Sequence, residues 1–313
     1  MIGRIVEIAH DGRHLAVDRG FMTVSADGAE IGRVPLDDIG MVIVNAHGIT
    51  YSNNLVVKLA ERGAGMVLCG ANHLPVAWLW PVVGHHDQAT RLRAQIEASG
   101  PLTKRLWQTV VKAKIRQQGA VLDAMGKPGA GFGLMAARVN SGDPDNMEAQ
   151  AARRYWPLLF GDDFRRDRDS GGINGLLNYG YTVLRSATAR AVCAAGLHPS
   201  IGMQHKSGDM CLVDDLMEPF RPMVDLVVAR LVKTGATEVS RDAKKALADV
   251  ASLDMRTDKG RTPVFLCLER LATSLGKSYE SGKSALDLPL APLPLEWPAV
   301  DAGEADHAPA QGA

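Results

Sequence analysis

The apolar pattern of this 313-residue chain changes period once, close to Pro81. Ahead of that point, short segments run or alternate apolar between turn-forming pairs such as Asp11-Gly12 and Asp27-Gly28, which is how half-buried strands read. The expected strands are Arg4–Ile8, His14–Val17, Phe21–Ser25, Ile31–Pro35, Met41–Val44, Met66–Cys69 and Leu74–Trp80. One helix, Leu55 to Arg62, is opened by Asn53-Asn54 and ended at Gly63. From about Gln88 to Ser281, spacings such as Leu102, Leu106, Val110 and Val111 are helical. Strands followed by helices predict an α+β fold. The expected domains are a β-rich unit over residues 1–80, a linker at 81–87 and an α-helical unit over 88–287. Residues 288–313 are rich in Pro and Ala, and this composition predicts a disordered tail, or a peptide that orders on a partner through Leu293, Leu295 and Trp297.

Composition excludes several classes. No stretch of basic start, apolar run and small-residue cleavage site opens the chain, and no apolar run nears the roughly 20 residues that span a bilayer. Cys69, Cys193, Cys211 and Cys267 form no Cys-x-x-Cys pair, which argues against structural zinc and a disulfide framework. The chain reads as cytoplasmic, with no membrane partner. Its net charge is zero, but unevenly placed. The last 26 residues hold four acids and no base, which leaves residues 1–287 at +4. Between Lys104 and Arg138, seven bases face the single acid Asp123, and Arg153, Arg154, Arg165, Arg166 and Arg168 follow. Such a stretch can track a phosphate backbone or simply be a solvated helix face.

Glu148, His205, Asp215 and Glu218 carry the chemistry. Carboxylate oxygens with one imidazole suit a hard or borderline divalent cation, Mg²⁺ or Mn²⁺. Held with open positions, such a metal serves phosphodiester chemistry. Each residue also has a plain structural role. Glu148 suits the first turn of a helix, His205 suits a hydrogen-bonded connection, and Asp214 or Asp215 suits the cap of a helix running through Val224 to Lys233. The adjacent His85-His86-Asp87 points in several directions and falls at the domain junction, so it reads as structural.

As a set, these residues sit in stretches with a familiar order. They are Leu106-Trp-Gln-Thr-Val-Val-Lys112-Ala-Lys114-Ile, Glu148-Ala-Gln-Ala-Ala-Arg153-Arg-Tyr155-Trp, Asn174-Gly-Leu-Leu-Asn178-Tyr-Gly-Tyr181, Gly196-Leu-His-Pro through Gly202-Met-Gln-His205, and Asp215-Leu-Met-Glu218-Pro-Phe-Arg221-Pro. Over residues 1 to about 287 the chain resembles the CRISPR-associated integrases of adaptation modules, the Cas-one family, most closely the compact type II form.

The resemblance implies an N-terminal β-sandwich-like domain followed by a mostly helical catalytic domain. It implies a metal site of Glu148, His205 and Glu218 with Asp215 as a supporting carboxylate. Many members carry Asp at the position of Glu218, which leaves metal distance and preference open. It further implies a homodimer assembled on a Cas-two partner, with an effector nuclease as a further candidate partner. The substrates would be double-stranded DNA, a prespacer and the CRISPR repeat, and prespacer 3′-OH ends would be joined to the repeat by transesterification. Ligation requires a neutral His205, so activity is expected to weaken in acid. Lys112, Lys114, Arg153, Arg154 and Arg221 are candidate phosphate contacts, and Tyr155, Tyr179 or Tyr181 could stack on a base or belong to the core. The alternatives are a non-catalytic DNA-binding scaffold, and a phosphohydrolase, for which Gly63–Asn72 lacks a P-loop ending.

Overall fold

The computed structural model describes residues 4–71, 75–79, 81, 82 and 88–292. Eight strands lie in the N-terminal part: β1 (Arg4–Ile8), β2 (Arg13–Asp18), β3 (Phe21–Ala26), β4 (Ala29–Pro35), β5 (Ile39–Val44), β6 (Ile49–Tyr51), β7 (Gly65–Cys69) and β8 (Pro75–Leu79). Two-residue hairpins join β2 to β3 and β3 to β4. Their central residues, Arg19-Gly20 and Asp27-Gly28, all have positive φ, as tight turns matching strand twist require. Helix α1 (Asn53–Glu61) starts where the Ser52 hydroxyl accepts the Leu55 N–H.

The strands form two sheets, ordered β4-β3-β2-β6 and β1-β5-β7-β8. Leu15 and Met22 from the first sheet pack with Val42, Val44 and Met66 from the second and with Leu55 and Leu59 of α1. All six residues of β5 are buried, because alternate side chains leave opposite faces. Val42 and Val44 enter the sandwich, whereas Met41 and Ile43, with Val67 and Cys69 of β7, enter the helical core. One sheet therefore docks the sandwich onto the helices. The Tyr179 hydroxyl, which donates to Glu7, ties the same seam.

The remainder comprises α2 (Gln88–Ile96), α3 (Gly100–Ala124), α4 (Gly131–Ala137), α5 (Met147–Phe160), α6 (Ile173–Ala194), α7 (Cys211–Met217), α8 (Arg221–Lys233), α9 (Arg241–Ala248) and α10 (Val264–Ser281). Helix α6 is buried nearly all round, as a central helix must be, with Asn174, Thr182, Ser186 and Thr188 among its buried residues. Gly180 permits its close approach to α8, since a Cβ there would lie 2.4 Å from Val224.

The structure corrects two expectations and adds one element to the mostly helical part. A hairpin, β9 (Asp254–Thr257) with β10 (Gly260–Pro263), interrupts the helical part; four-residue strands are too short to show a period of two. Asp214 and Asp215 do not cap a helix that includes Val224. They lie inside α7, and Glu218–Phe220 form a 3-10 turn before α8. Pro219 has no N–H to give the Asp215 carbonyl, so the helical ladder breaks there. Finally, the start of the expected tail is held. β11 (Ala291–Pro292) pairs with β9, Leu290 N–H donates to the Arg256 carbonyl, and Leu288 packs on the helical core. Residues 293–313 and the His85-His86-Asp87 motif lie outside the described residues. Among the described residues, no helix is long and apolar enough to cross a membrane.

Candidate active site

Two of the predicted ligands, Glu148 and Glu218, share one partner, and the third, His205, interacts in charge with Glu218. Glu148 stands in the first turn of α5, which the preceding Gly142-Asp-Pro-Asp-Asn146 turn fixes firmly. Asp143 accepts the N–H groups of Met147 and Glu148 at 2.9 and 3.0 Å, and Asn146 accepts that of Ala149. Glu218 begins the 3-10 turn after α7 and is 4% exposed.

His205 ends a loop wrapped around the fully buried Asp215. That carboxylate accepts the backbone N–H groups of Met203, Gln204 and His205 and contacts His205 Nδ1 at 2.6 Å. Gly202 makes the wrapping possible, because a Cβ there would sit 2.9 Å from Asp215 and 2.5 Å from the His205 carbonyl. With Nδ1–H donating to Asp215, the lone pair lies on Nε2, the arrangement of a ligand oriented from behind. Asp215 thus positions the imidazole. The same hydrogen bond raises the His205 pKa above its ordinary value, against the opposing effect of burial. Trp107 of α3 sets the imidazole edge-on, with ring centroids 6.1 Å apart.

Lys114, expected to touch phosphate, occupies the centre of the site. Its Nζ lies 2.5 Å from Glu148 Oε1 and 2.5 Å from Glu218 Oε2. Burial works against the ammonium charge, but Glu218 and Glu148 outweigh it and hold the Lys114 pKa above the usual lysine value. Burial likewise opposes the Glu218 charge, and Arg221 and Lys114 overcome it, keeping that carboxyl below the ordinary range. Arg221 Nε is 3.0 Å from Glu218 Oε1, and its guanidinium lies over the Tyr181 ring at 4.9 Å.

Glu218 Oε2 is buried with the Lys114 ammonium 2.5 Å away as its counter-charge, so this carboxylate already pairs with a cation. Two carboxylates and one imidazole suit Mg²⁺ or Mn²⁺. As the side chains stand, no three His, Cys, Asp or Glu groups among the described residues are disposed to hold a metal; Lys114 fills the space between the glutamates.

Residues 6–257 match the family model described as CRISPR associated protein Cas1. The chain belongs to the Cas1 family. It is 33% identical to the CRISPR-associated endonuclease Cas1 of Neisseria meningitidis serogroup C (strain 8013) over 296 residues, which cover 92% of this chain and 96% of the relative. Three solved structures share the fold. A casposase bound to integration product aligns with a TM-score of 0.76 at 18% identity, covering 91% of this chain and 92% of that one. A chain of a Cas6-RT-Cas1–Cas2 complex gives 0.73 at 16%, covering 91% and 36%. The TtCas1–DNA complex gives 0.58 at 16%, covering 93% and 94%. At such identities the likeness is one of fold.

The other predicted contacts are dispersed. Lys112 is half-buried on α3, Arg153 is exposed, and Arg154 is exposed with its guanidinium over the Phe132 ring at 5.7 Å. Tyr155, Tyr179 and Tyr181 are all buried, so none presents a face for stacking on a base.

Two features were missed from sequence. Asp225 is buried in α8 and accepts the Tyr181 hydroxyl at 2.5 Å; burial pushes its carboxyl up to about 7, against that hydrogen bond. The signal was an acid inside the apolar run Met223-Val-Asp-Leu-Val-Val228. Arg166 donates to Asn174 and Asn178 at 2.9 and 2.7 Å and lies over Tyr181. Asn174 and Asn178 therefore orient an arginine.

Proposed function

We propose that this chain is a divalent-metal-dependent DNA integrase of CRISPR adaptation, with residual endonuclease activity. One observation carries the reading: Glu148 and Glu218 share a single cation, the Lys114 ammonium, while His205, oriented by Asp215, interacts in charge with Glu218, in a chain of the Cas1 family. The shared fold with a casposase bound to integration product supports strand joining. The TtCas1–DNA and Cas6-RT-Cas1–Cas2 complexes support DNA and a Cas2 protein as partners. The chain acts as a homodimer on Cas2, with an effector nuclease as a further partner in the cell.

Glu148, His205 Nε2 and Glu218 would hold Mg²⁺ or Mn²⁺. Bound there, the ion would polarise a phosphoryl oxygen and stabilise the charge that develops on it. The chain's residues do the rest. Asp215 and Trp107 keep the imidazole in one orientation, and Arg221 is braced against Tyr181 to face a phosphate. In the reaction a prespacer 3′-oxygen bonds to a repeat phosphorus and releases its proton. The original phosphodiester P–O bond breaks, and the departing 3′-oxygen takes up a proton.

The test is strand joining of a labelled prespacer into repeat DNA with Mn²⁺ or Mg²⁺. Glu148→Ala and His205→Ala should each lower the rate by about 100-fold or more. Joining unchanged in both variants would remove the site.

The Lys114 contacts favour one second reading, a non-catalytic DNA-binding scaffold whose carboxylates serve only as ion-pair partners. A scaffold should show no saturable Mn²⁺ binding that depends on Glu218.

A further inference from the structure

We infer that Lys114 is the internal counter-ion of the metal-free site, displaced from between Glu148 and Glu218 when a divalent cation binds. The inference rests on the metal-dependent reading above and adds a competing cation built into the chain.

The charges in the cluster already balance. Glu148 and Glu218 carry two negative charges, and Lys114 and Arg221 carry two positive ones within 3.0 Å of them. A divalent ion entering this set would leave an excess of two positive charges, which withdrawal of one cation would halve. Lys114 occupies the position the ion needs, because its Nζ contacts one oxygen from each glutamate. Like charges at such separations repel strongly in a partly buried site.

The two cations differ in freedom to move. Arg221 is held against the Tyr181 ring, and its guanidinium contacts the other oxygen of Glu218. Lys114 has a flexible four-carbon stem and a compact charge that reorients readily. His205, which interacts in charge with Glu218, has a side chain 48% exposed, so the cluster borders solvent on that side. An ammonium withdrawn toward that side would meet an arriving phosphate. Lys114 then holds two glutamates together before the metal arrives and becomes a phosphate-facing cation afterwards.

The experiment reads the lysine itself. The full-length wild-type chain is titrated with Mn²⁺ by calorimetry, then pulse-acetylated with and without saturating Mn²⁺, and Lys114 modification is followed by peptide mass spectrometry. Acetylation of Lys114 should rise by roughly tenfold when Mn²⁺ is bound, as its population shifts out of the bridge. Lys114→Met should bind Mn²⁺ about tenfold more tightly than wild type, because the competitor is gone. Absence of saturable, Glu218-dependent Mn²⁺ binding in wild type would overturn the metal-dependent reading. Saturable binding with Lys114 acetylation unchanged would leave that reading standing and overturn the displacement. The acetylation measurement uses wild-type protein, so it decides even where Lys114→Met does not fold.

Discussion

The N-terminal sandwich and the helical part have cores of opposite character. Among the described residues, the sandwich buries no charged side chain fully, only Thr23 and Asn45 beside its aliphatic residues. The helical part buries Asp215, Glu218 and Asp225 and sets Lys114 and Arg221 against them. Burying a charge costs several kcal/mol in desolvation, and an ion pair seldom returns more than that. The sandwich is therefore a source of stability. The helical part gives some of its stability up to concentrate charge in one place, as reaction centres do.

A core truncation in the sandwich should break stability without touching the site. Leu15 is fully buried between the sheets, and Leu15→Ala should lower the unfolding free energy by about 2–5 kcal/mol. Mn²⁺ affinity of the folded variant should stay at the wild-type value. A parallel loss of affinity would show that the two regions are not separable.

The next effect belongs to Asp225. Its carboxyl holds a proton up to about pH 7 in the folded chain, whereas an unfolded aspartate releases it near pH ~3.9. Proton uptake thus favours the folded state. This contribution is complete below the unfolded value and is lost as pH rises through about 7. Asp225→Asn should remove it and shrink the stability difference between pH 4 and pH 8 by on the order of 4 kcal/mol. Urea unfolding at the two pH values checks this, and an unchanged difference would mean that Asp225 is ionised throughout.

The smallest effect concerns a charge outside the site. Lys112 lies outside the Glu148–Lys114–Glu218–Arg221 cluster, and Lys112→Ala should reduce the log–log salt slope of DNA affinity by about 1, without altering Mn²⁺ binding. An unaltered slope would take Lys112 off the DNA path.

How much was legible in the sequence depended on the range of the interaction. Strand alternation and turn pairs are local, so β3, β4 and the Asp27-Gly28 turn emerged directly. Glu148, His205 and Glu218 come from motif order; the structure sets Glu148 and Glu218 on one lysine and Asp215 behind the His205 imidazole.

Lys114 was assigned to phosphate because nothing local distinguishes it from Lys112 two residues earlier. Only the packing of α3 against α5 and the 3-10 turn makes one of them central. The tyrosines of α6 were open to a stacking role because an aromatic on a helix reads alike whether it is core or cleft. Their partners, Glu7 and Asp225, lie far away in sequence. Likewise, β11 is two residues long and exists only because β9 offers it an edge.

The most direct measurement of the central claim is the rate of prespacer joining to repeat DNA in Mn²⁺, comparing wild type with Glu218→Ala and following both with chelator present. The account predicts joining in wild type that is abolished by chelator, a loss of about 100-fold or more in the variant, and retained folding. Joining that proceeds equally in the variant, or in the presence of chelator, would contradict it.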